Sequence, residues 1–201
     1  MSILSAPRTE KGRRTRDRIV AIAARLISEQ GVARTSLDDV GTAARVGKSQ
    51  LYHYFADKDG LVESVIDHQI GRILDDERLG ALDTFEGWTA WRDAVVAAKR
   101  RLQGTGGCPI GSLAAELADT DEAARLALEA GFEHWEARFR TGIVAMIESG
   151  TLRPDADAAR LAITVLAAFQ GGMLLARLRR DVAPLEVALD GAIEQLRRYA
   201  T

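Results

Sequence analysis

Apolar residues in this chain recur at the period of a helix and almost never at that of a strand, which restricts the fold more than any other feature. Ile19, Ile22, Ala23, Leu26 and Ile27 follow one another at i, i+3, i+4, i+7 and i+8, a spacing that stacks them on one helical face. No stretch alternates apolar and polar β-branched residues over a strand's length, and alanine is abundant, so the expected fold is all-α. A first helix from Arg16 ends where Gly31 supplies a left-handed cap. Ser36 then precedes Leu37-Asp38-Asp39, a capping pattern that opens a short second helix with Leu37, Val40, Gly41 and Ala44 on one side. A turn follows at Arg45-Val46-Gly47. The next helix, Lys48 to Phe55, spans only about two turns.

Beyond Lys58 the pattern predicts a long helix to about Leu79. Further helices are expected at Phe85 to Gln103, Ile110 to Ala118, Asp121 to Glu148, Asp155 to Arg180 and Pro184 to Tyr199, about nine in all. No linker of low complexity separates them. The expected organisation is a helix-turn-helix domain with a basic N-terminal arm over residues 1–58 and a larger helical domain over 59–201, joined by the shared fourth helix.

Charge divides the same way. Residues 1–58 hold 11 Lys and Arg against 6 Asp and Glu, whereas residues 59–201 hold 16 against 23. A basic front on an acidic body suits a polyanion bound at one end, since phosphate contacts release condensed counterions. The longest apolar stretch, Leu161 to Ala176, is about a turn short of a bilayer span and is interrupted by Thr164, Gln170 and two glycines, so no membrane segment is expected. The polar, basic start lacks the apolar core of a secretory signal, which points to the cytoplasm. One cysteine, Cys108, and three scattered histidines give no expected disulfide, metal or cofactor site.

Two short helices flanking a tight turn are the pattern of a helix-turn-helix, in which the second helix enters the major groove and must expose groups that reach phosphates and base edges. Leu51 and Phe55, four residues apart, face inward with Val46, leaving Lys48, Ser49, Gln50, Tyr52, His53 and Tyr54 as donors, acceptors and stacking surfaces. Gln suits adenine, Lys suits guanine or phosphate, and Tyr hydroxyls suit phosphates. Partial burial of Tyr52 or Tyr54 against the first helix is the competing reading for one of the two.

The run Thr35-Ser36-Leu37-Asp38-Asp39-Val40, then Ala44-Arg45-Val46-Gly47-Lys48-Ser49-Gln50-Leu51-Tyr52-His53-Tyr54-Phe55, then Lys58 and Leu61, resembles the TetR (tetracycline repressor) family over about 50 residues. Two positions depart from that family's usual pattern: Arg45 stands where glycine is common in the turn, and Gly47 where serine caps the recognition helix. Gly costs little as an N-cap, and Arg45 adds charge beside the phosphates. The resemblance implies that Ser36 and Lys58, each at a helix start, anchor phosphates. It also implies that the arm with Arg8, Lys11, Arg13, Arg14 and Arg16 lies along the DNA.

The same resemblance implies a homodimer on a palindromic operator of double-stranded DNA, formed through the two C-terminal helices. The first of these is apolar nearly all round, from Leu161 to Ala176. The second carries a stripe of Leu185, Ala188, Leu189, Ala192, Ile193 and Leu196. An unknown, largely apolar small-molecule effector is expected in the C-terminal domain. Candidates for its pocket are Trp88, Trp91, Phe132, Trp135, Phe139, Phe169, Gln170 and Met173, with ordinary core packing as the alternative for any one of them.

The glycine-rich stretch from Gly104 to Ser112 lacks both the preceding strand and the Gly-Lys-Ser/Thr ending of a phosphate-binding loop, so it reads as a hinge or pocket rim leading into the sixth helix. Cys108 within it reads as a structural thiol. The resulting expectation is a transcriptional repressor released by its effector, with a corepressor-dependent regulator or an activator as the alternative. Enzymatic activity is not expected: no G-x-S-x-G or H-E-x-x-H occurs, and Asp38-Asp39 and Asp75-Asp76 read as capping and surface charge. A protein-interaction module with a helix-turn-helix head is the remaining alternative.

Overall fold

A computed structural model of the chain describes residues 9–75 and 80–201, so Arg8 of the basic arm, Asp76 and the expected helix end at Leu79 lie outside the described residues. Nine α-helices form among the described residues: α1 (Glu10–Gln30), α2 (Leu37–Ala44), α3 (Lys48–Tyr54), α4 (Lys58–Leu74), α5 (Phe85–Arg101), α6 (Pro109–Leu117), α7 (Glu122–Glu148), α8 (Ala158–Arg179) and α9 (Ala183–Arg197). Extended pairing there is limited to one antiparallel bridge, Leu152 with Ala200.

Helix α1 begins at Glu10, six residues before the start expected at Arg16. Thr9 caps it by accepting from the Gly12 N–H at 3.1 Å, and Glu10 pairs with Arg13 and Arg14 at 2.7 and 2.9 Å. Lys11, Arg13, Arg14 and Arg16 of the expected arm are therefore helical. Of the expected apolar stripe Ile19, Ala23 and Ile27 are buried and Ile22 and Leu26 half-buried, while Val20 and Ala24 complete the buried face. Gly31, at φ 86°, ends the helix by donating its N–H to the Ile27 carbonyl.

The chain divides into two compact units: residues up to 72 together with 112–128, and 73–111 together with 129–201. Helices α4, α6 and α7 each contribute residues to both. In the first unit α1 packs on α2, and α2 on α3. In the second, α8 lies lengthwise against α9, which also meets α5.

Close approach of α8 and α9 depends on Gly172, where an added Cβ would lie 2.9 Å from the Leu185 Cα. Gly71, inside α4, has nothing within 4 Å of that position. The two glycines should therefore respond oppositely to alanine. Gly172→Ala must push two backbones apart and should cost about 1–3 kcal/mol, whereas Gly71→Ala should gain about 0.8–1 kcal/mol of helix propensity. Thermal unfolding checks both: at about 2–4 °C per kcal/mol for a chain of this size, Gly172→Ala melts lower and Gly71→Ala higher than the parent.

Candidate nucleic-acid interface

The second helix of the motif is held by what it buries. Leu51 and Phe55 are buried, Val46 is half-buried, and Lys48, Ser49, Gln50, Tyr52 and His53 are exposed, so α3 presents a continuous polar surface opposite its apolar anchor. Tyr54 is half-buried, with its ring edge-on to His53 at 5.2 Å. Between the two tyrosines, then, Tyr54 is the partly covered one and Tyr52 the open one. Gly47 occupies the N-cap of α3 without any side-chain cap bond, and the backbone alone closes its last turn, Phe55 N–H to Leu51 carbonyl at 3.0 Å.

Helix α2 carries the bracing. Ser36 and Asp39 form a reciprocal capping box: the Asp39 N–H donates to Ser36 Oγ at 3.1 Å, and the Ser36 N–H donates to Asp39 Oδ2 at 2.9 Å. The Ser36 hydroxyl also donates to Asp39 Oδ2 at 2.6 Å. These bonds hold the Asp39 carboxyl below its ordinary value of 3.8. A carboxyl depressed in the folded state adds stability above its unfolded pKa and loses it as pH falls through the depressed value, so the box weakens only in acid.

At the other end of α2, Arg18 of α1 donates to the Ala44 carbonyl at 2.6 Å, satisfying an orphan acceptor at the helix C-terminus. Leu51 packs over Gly41 of α2: a Cβ there would lie 3.4 Å from Leu51 Cδ2, an ordinary van der Waals distance. Arg16 donates to Ser64 Oγ of α4 at 2.7 Å, and its guanidinium lies 5.4 Å from the Phe55 ring centroid. Arg16 thus ties α1 to α4 and covers the end of α3.

The remaining sequence candidates sit around this surface. Arg45 is exposed in the turn and adopts the left-handed conformation, φ 52° and ψ 47°. Lys48 Nζ stands 3.7 Å from Asp38 Oδ1 and 5.9 Å from the Tyr52 ring centroid, an exposed pair that a phosphate can displace at little cost. Lys58, half-buried, donates to the Ala33 carbonyl at 3.4 Å. It thus contacts the α1–α2 turn, which ends at Ser36, the N-cap of α2.

That turn is clamped by a residue that the sequence did not single out. Glu116, near the end of α6, accepts from the Val32 and Ala33 N–H groups at 2.9 Å each. Gly31 makes room for it, since a Cβ there would meet the carboxylate at 3.3 Å. Glu116 lies more than eighty residues from its partners, and one acidic residue on a helix carries no local signal of such a role. The same holds for Arg16 and Arg18, which read as arm or surface charge until α2 and α4 are placed beside them.

In the second unit the structure brings together six of the eight pocket candidates. Trp88 and Trp91 of α5, Phe132, Trp135 and Phe139 of α7, and Phe169 of α8 form one aromatic cluster with ring centroids 4.9–6.4 Å apart. Gln170 and Met173 are half-buried, and the Gln170 amide donates to Cys108 Sγ at 3.4 Å. Cys108 is buried, and burial pushes its thiol pKa up, so it stays protonated as a structural residue would. A separate groove of about 560 Å³ lies between α5 and α9, lined by Thr89, Arg92, Asp93, Asp190, Glu194 and Arg197 among others. It was not foreseen, because it is charged: Arg92 there makes a bidentate bridge to Asp190 at 2.8 and 2.9 Å.

The glycine-rich segment is held rather than open. Gly104 and Gly106 both have φ 71°, and the buried Lys99 ammonium donates to the Thr105 carbonyl at 3.1 Å and to that of Gly106. A Cβ on Gly104 would lie 2.8 Å from the Arg180 carbonyl carbon, so the loop is packed against the turn that follows α8.

Comparison with known proteins bears on both halves of the chain. Residues 19–65 match the family described as bacterial regulatory proteins, tetR family, and residues 84–192 match the tetracyclin repressor-like C-terminal domain. The chain is 27% identical over 191 residues to the HTH-type transcriptional repressor DhaR of Mycobacterium sp. (strain GP1), covering 90% of this chain and 91% of that protein. It is 30% identical over 182 residues to the HTH-type transcriptional regulator MT0206 of Mycobacterium tuberculosis, covering 86% and 89%. Among solved structures, a TetR transcriptional regulator from Chloroflexus aurantiacus superposes with a TM-score of 0.82 at 29% identity, over 96% of this chain and 98% of that one.

Arg45 gives a test in which two properties move apart. A non-glycine residue held in the left-handed region costs about 1–2 kcal/mol, partly offset by the greater unfolded-state freedom of glycine. Arg45→Gly should therefore raise the stability by up to about 1 kcal/mol, a melting point about 2–4 °C higher. The same change removes a positive charge from the exposed face and should lower DNA affinity in a gel shift.

Proposed function

Because the chain belongs to the tetR family of bacterial regulators, which are DNA-binding transcriptional regulators, we propose that it acts as a homodimeric repressor released from a palindromic operator by a small-molecule effector. The DNA-reading part is residues 1–58, and residues 59–201 hold the effector and dimerise. Lys48, Ser49, Gln50, Tyr52 and His53 face the major groove, with Tyr54 at its edge, while Ser36, Arg45 and Lys58 meet the flanking phosphates. This assignment follows from the exposed polar face of α3 and from the two helix starts beside the α1–α2 turn. A repressor among the relatives supports the direction of control.

One observation supports dimerisation above the others. Although α8 lies along α9, it leaves Ile163, Leu174 and Leu178 outward, at 53%, 65% and 77% exposure, and α9 adds Val187 at 72%. Leu175 is exposed as well. An apolar face of this kind is unusual on an isolated subunit. By length and composition α8 could cross a membrane, but its lengthwise packing on α9 confines the exposed apolar residues to one face, the arrangement of a helix that meets other helices. Twofold pairing of the α8 and α9 faces of two subunits covers these residues and sets two copies of α3 at a fixed spacing.

Effector release draws its support from α6. The helix starts with residues 109–111 of the second unit and continues in the first, where Glu116 accepts from the Val32 and Ala33 N–H groups of the α1–α2 turn. A displacement of α6 would act on that turn through these two charge-assisted hydrogen bonds. Coupling of this kind is reciprocal, and for allosteric proteins it is typically about 1–3 kcal/mol, or about 5- to 150-fold in affinity.

Two measurements test the proposal. Leu174→Glu combined with Leu178→Glu should convert the dimer to a monomer in sedimentation velocity and abolish tight operator binding; a dimer that survives both changes overturns the α8–α9 assignment. Gel shifts with promoter DNA beside its own gene should show binding by the ligand-free protein. Lys48→Ala with Gln50→Ala should cost about 1–3 kcal/mol of that affinity and lower the salt dependence by about one charge. Ligand-free protein that fails to bind, and binds once an effector is added, would instead make the effector a corepressor.

A further inference from the structure

We propose that the aromatic cluster of the second unit binds a planar, uncharged, largely apolar molecule bearing a hydrogen-bond acceptor such as a ketone or ether oxygen, recognised by the indole N–H groups of Trp88 and Trp135. As the identity of an effector site this rests on the effector-release reading; as a binding site it stands on the geometry alone.

All three tryptophans of the chain meet in this cluster, with three of its five phenylalanines. Trp88 is fully buried and Trp135 is 5% exposed. Their Nε1 atoms are buried and find no hydrogen-bond partner among the described residues. Trp91 carries no such buried orphan N–H. Tryptophan placed in a core ordinarily finds an acceptor for its N–H, because an unpaired buried donor forfeits its bonds to water with nothing in return. Phenylalanine would fill most of the same apolar volume without that cost. Two orphan donors in one cluster, both on rings packed against Phe139 at 5.5 and 6.2 Å, are therefore best explained by an acceptor that arrives from outside.

The surroundings narrow the class of molecule. Six aromatic side chains supply flat apolar walls suited to a planar ligand. No charged side chain belongs to the cluster, so a carboxylate entering it would lose its hydration without gaining a counter-charge. The buried cation of this unit, Lys99, is occupied by the Thr105 and Gly106 carbonyls. Phe132, half-buried and paired only with Trp135 among the described rings, is the partly open edge of the cluster. Phe132 is stacked on Trp135 with an interplanar angle of 11°, an arrangement that a second flat ring can extend.

The test uses three matched probes on the full-length protein: 2-acetylnaphthalene, 2-ethylnaphthalene and 2-naphthoate. With the protein labelled with nitrogen-15 at its tryptophans, three indole N–H resonances report the site, and Trp88→Phe and Trp135→Phe assign two of them. The ketone should bind about 10-fold more tightly than the hydrocarbon, as expected for one or two added hydrogen bonds. It should move the Trp88 and Trp135 resonances downfield while the Trp91 resonance moves less. The naphthoate should be the weakest of the three. Each Trp→Phe change should reduce the ratio of ketone to hydrocarbon affinity several-fold, with the parent's helical circular dichroism showing that the variant is folded.

Equal affinity for ketone and hydrocarbon, no binding by any probe up to its solubility, or indole resonances that stay still on saturation would each overturn the proposal. Gel shifts with the same ketone separate it from the effector reading. Indole shifts without loss of operator binding leave the site standing and count against effector release through it. Operator release without indole shifts preserves effector release and rejects this site.

Discussion

A helix of seven residues with no capping side chain makes too few internal hydrogen bonds to persist in water, so α3 exists because Leu51 and Phe55 are buried. Everything around it serves that burial. Leu51 packs over Gly41 of α2, Arg16 covers Phe55, and Arg18 closes the C-terminus of α2 so that the turn can leave it cleanly. The polar residues of α3 make only exposed contacts, such as Lys48 with Asp38 at 3.7 Å, which add little to holding it. Apolar residues on one side thus anchor the helix and leave the other side open to solvent.

The two departures from the family's usual turn carry different costs. Gly47 gives up a side-chain cap on α3, an effect of a few tenths of a kcal/mol relative to serine, and the buried anchors make up for it. Arg45 holds a left-handed backbone that glycine would adopt freely. Keeping a strained arginine in an exposed turn next to the reading face makes sense if the charge is used there.

The second unit faces the opposite problem. Its helices must pack well enough to hold together, as the close crossing of α8 and α9 at Gly172 and the fully buried Trp88 and Phe139 show. Yet among the described residues the unit also keeps two buried indole donors without acceptors and an exposed apolar face on α8. Both are departures from what packing alone would select. In the first unit, Glu116 of α6 is the sole side chain among the described residues whose carboxylate bonds the Val32 and Ala33 N–H groups.

Sequence alone determined the helical class, the order of the helices to within a few residues at most ends, the capping box at Ser36, and the inward and outward faces of α3. These are local properties, set by periodicity, caps and glycine over spans of four to ten residues. Local reading missed the first six residues of α1, since they carry charge rather than an apolar stripe and are helical through Thr9 and Glu10. It also identified the aromatic residues of the cluster but had no means of telling which rings meet or that two N–H groups are left unpaired. Tertiary structure decided those matters, together with the roles of Arg16, Arg18, Lys99 and Glu116, because each depends on atoms brought together by the packing of whole helices. A charged residue reads the same in sequence whether it faces water or clamps a turn, and only its distant partner distinguishes the two.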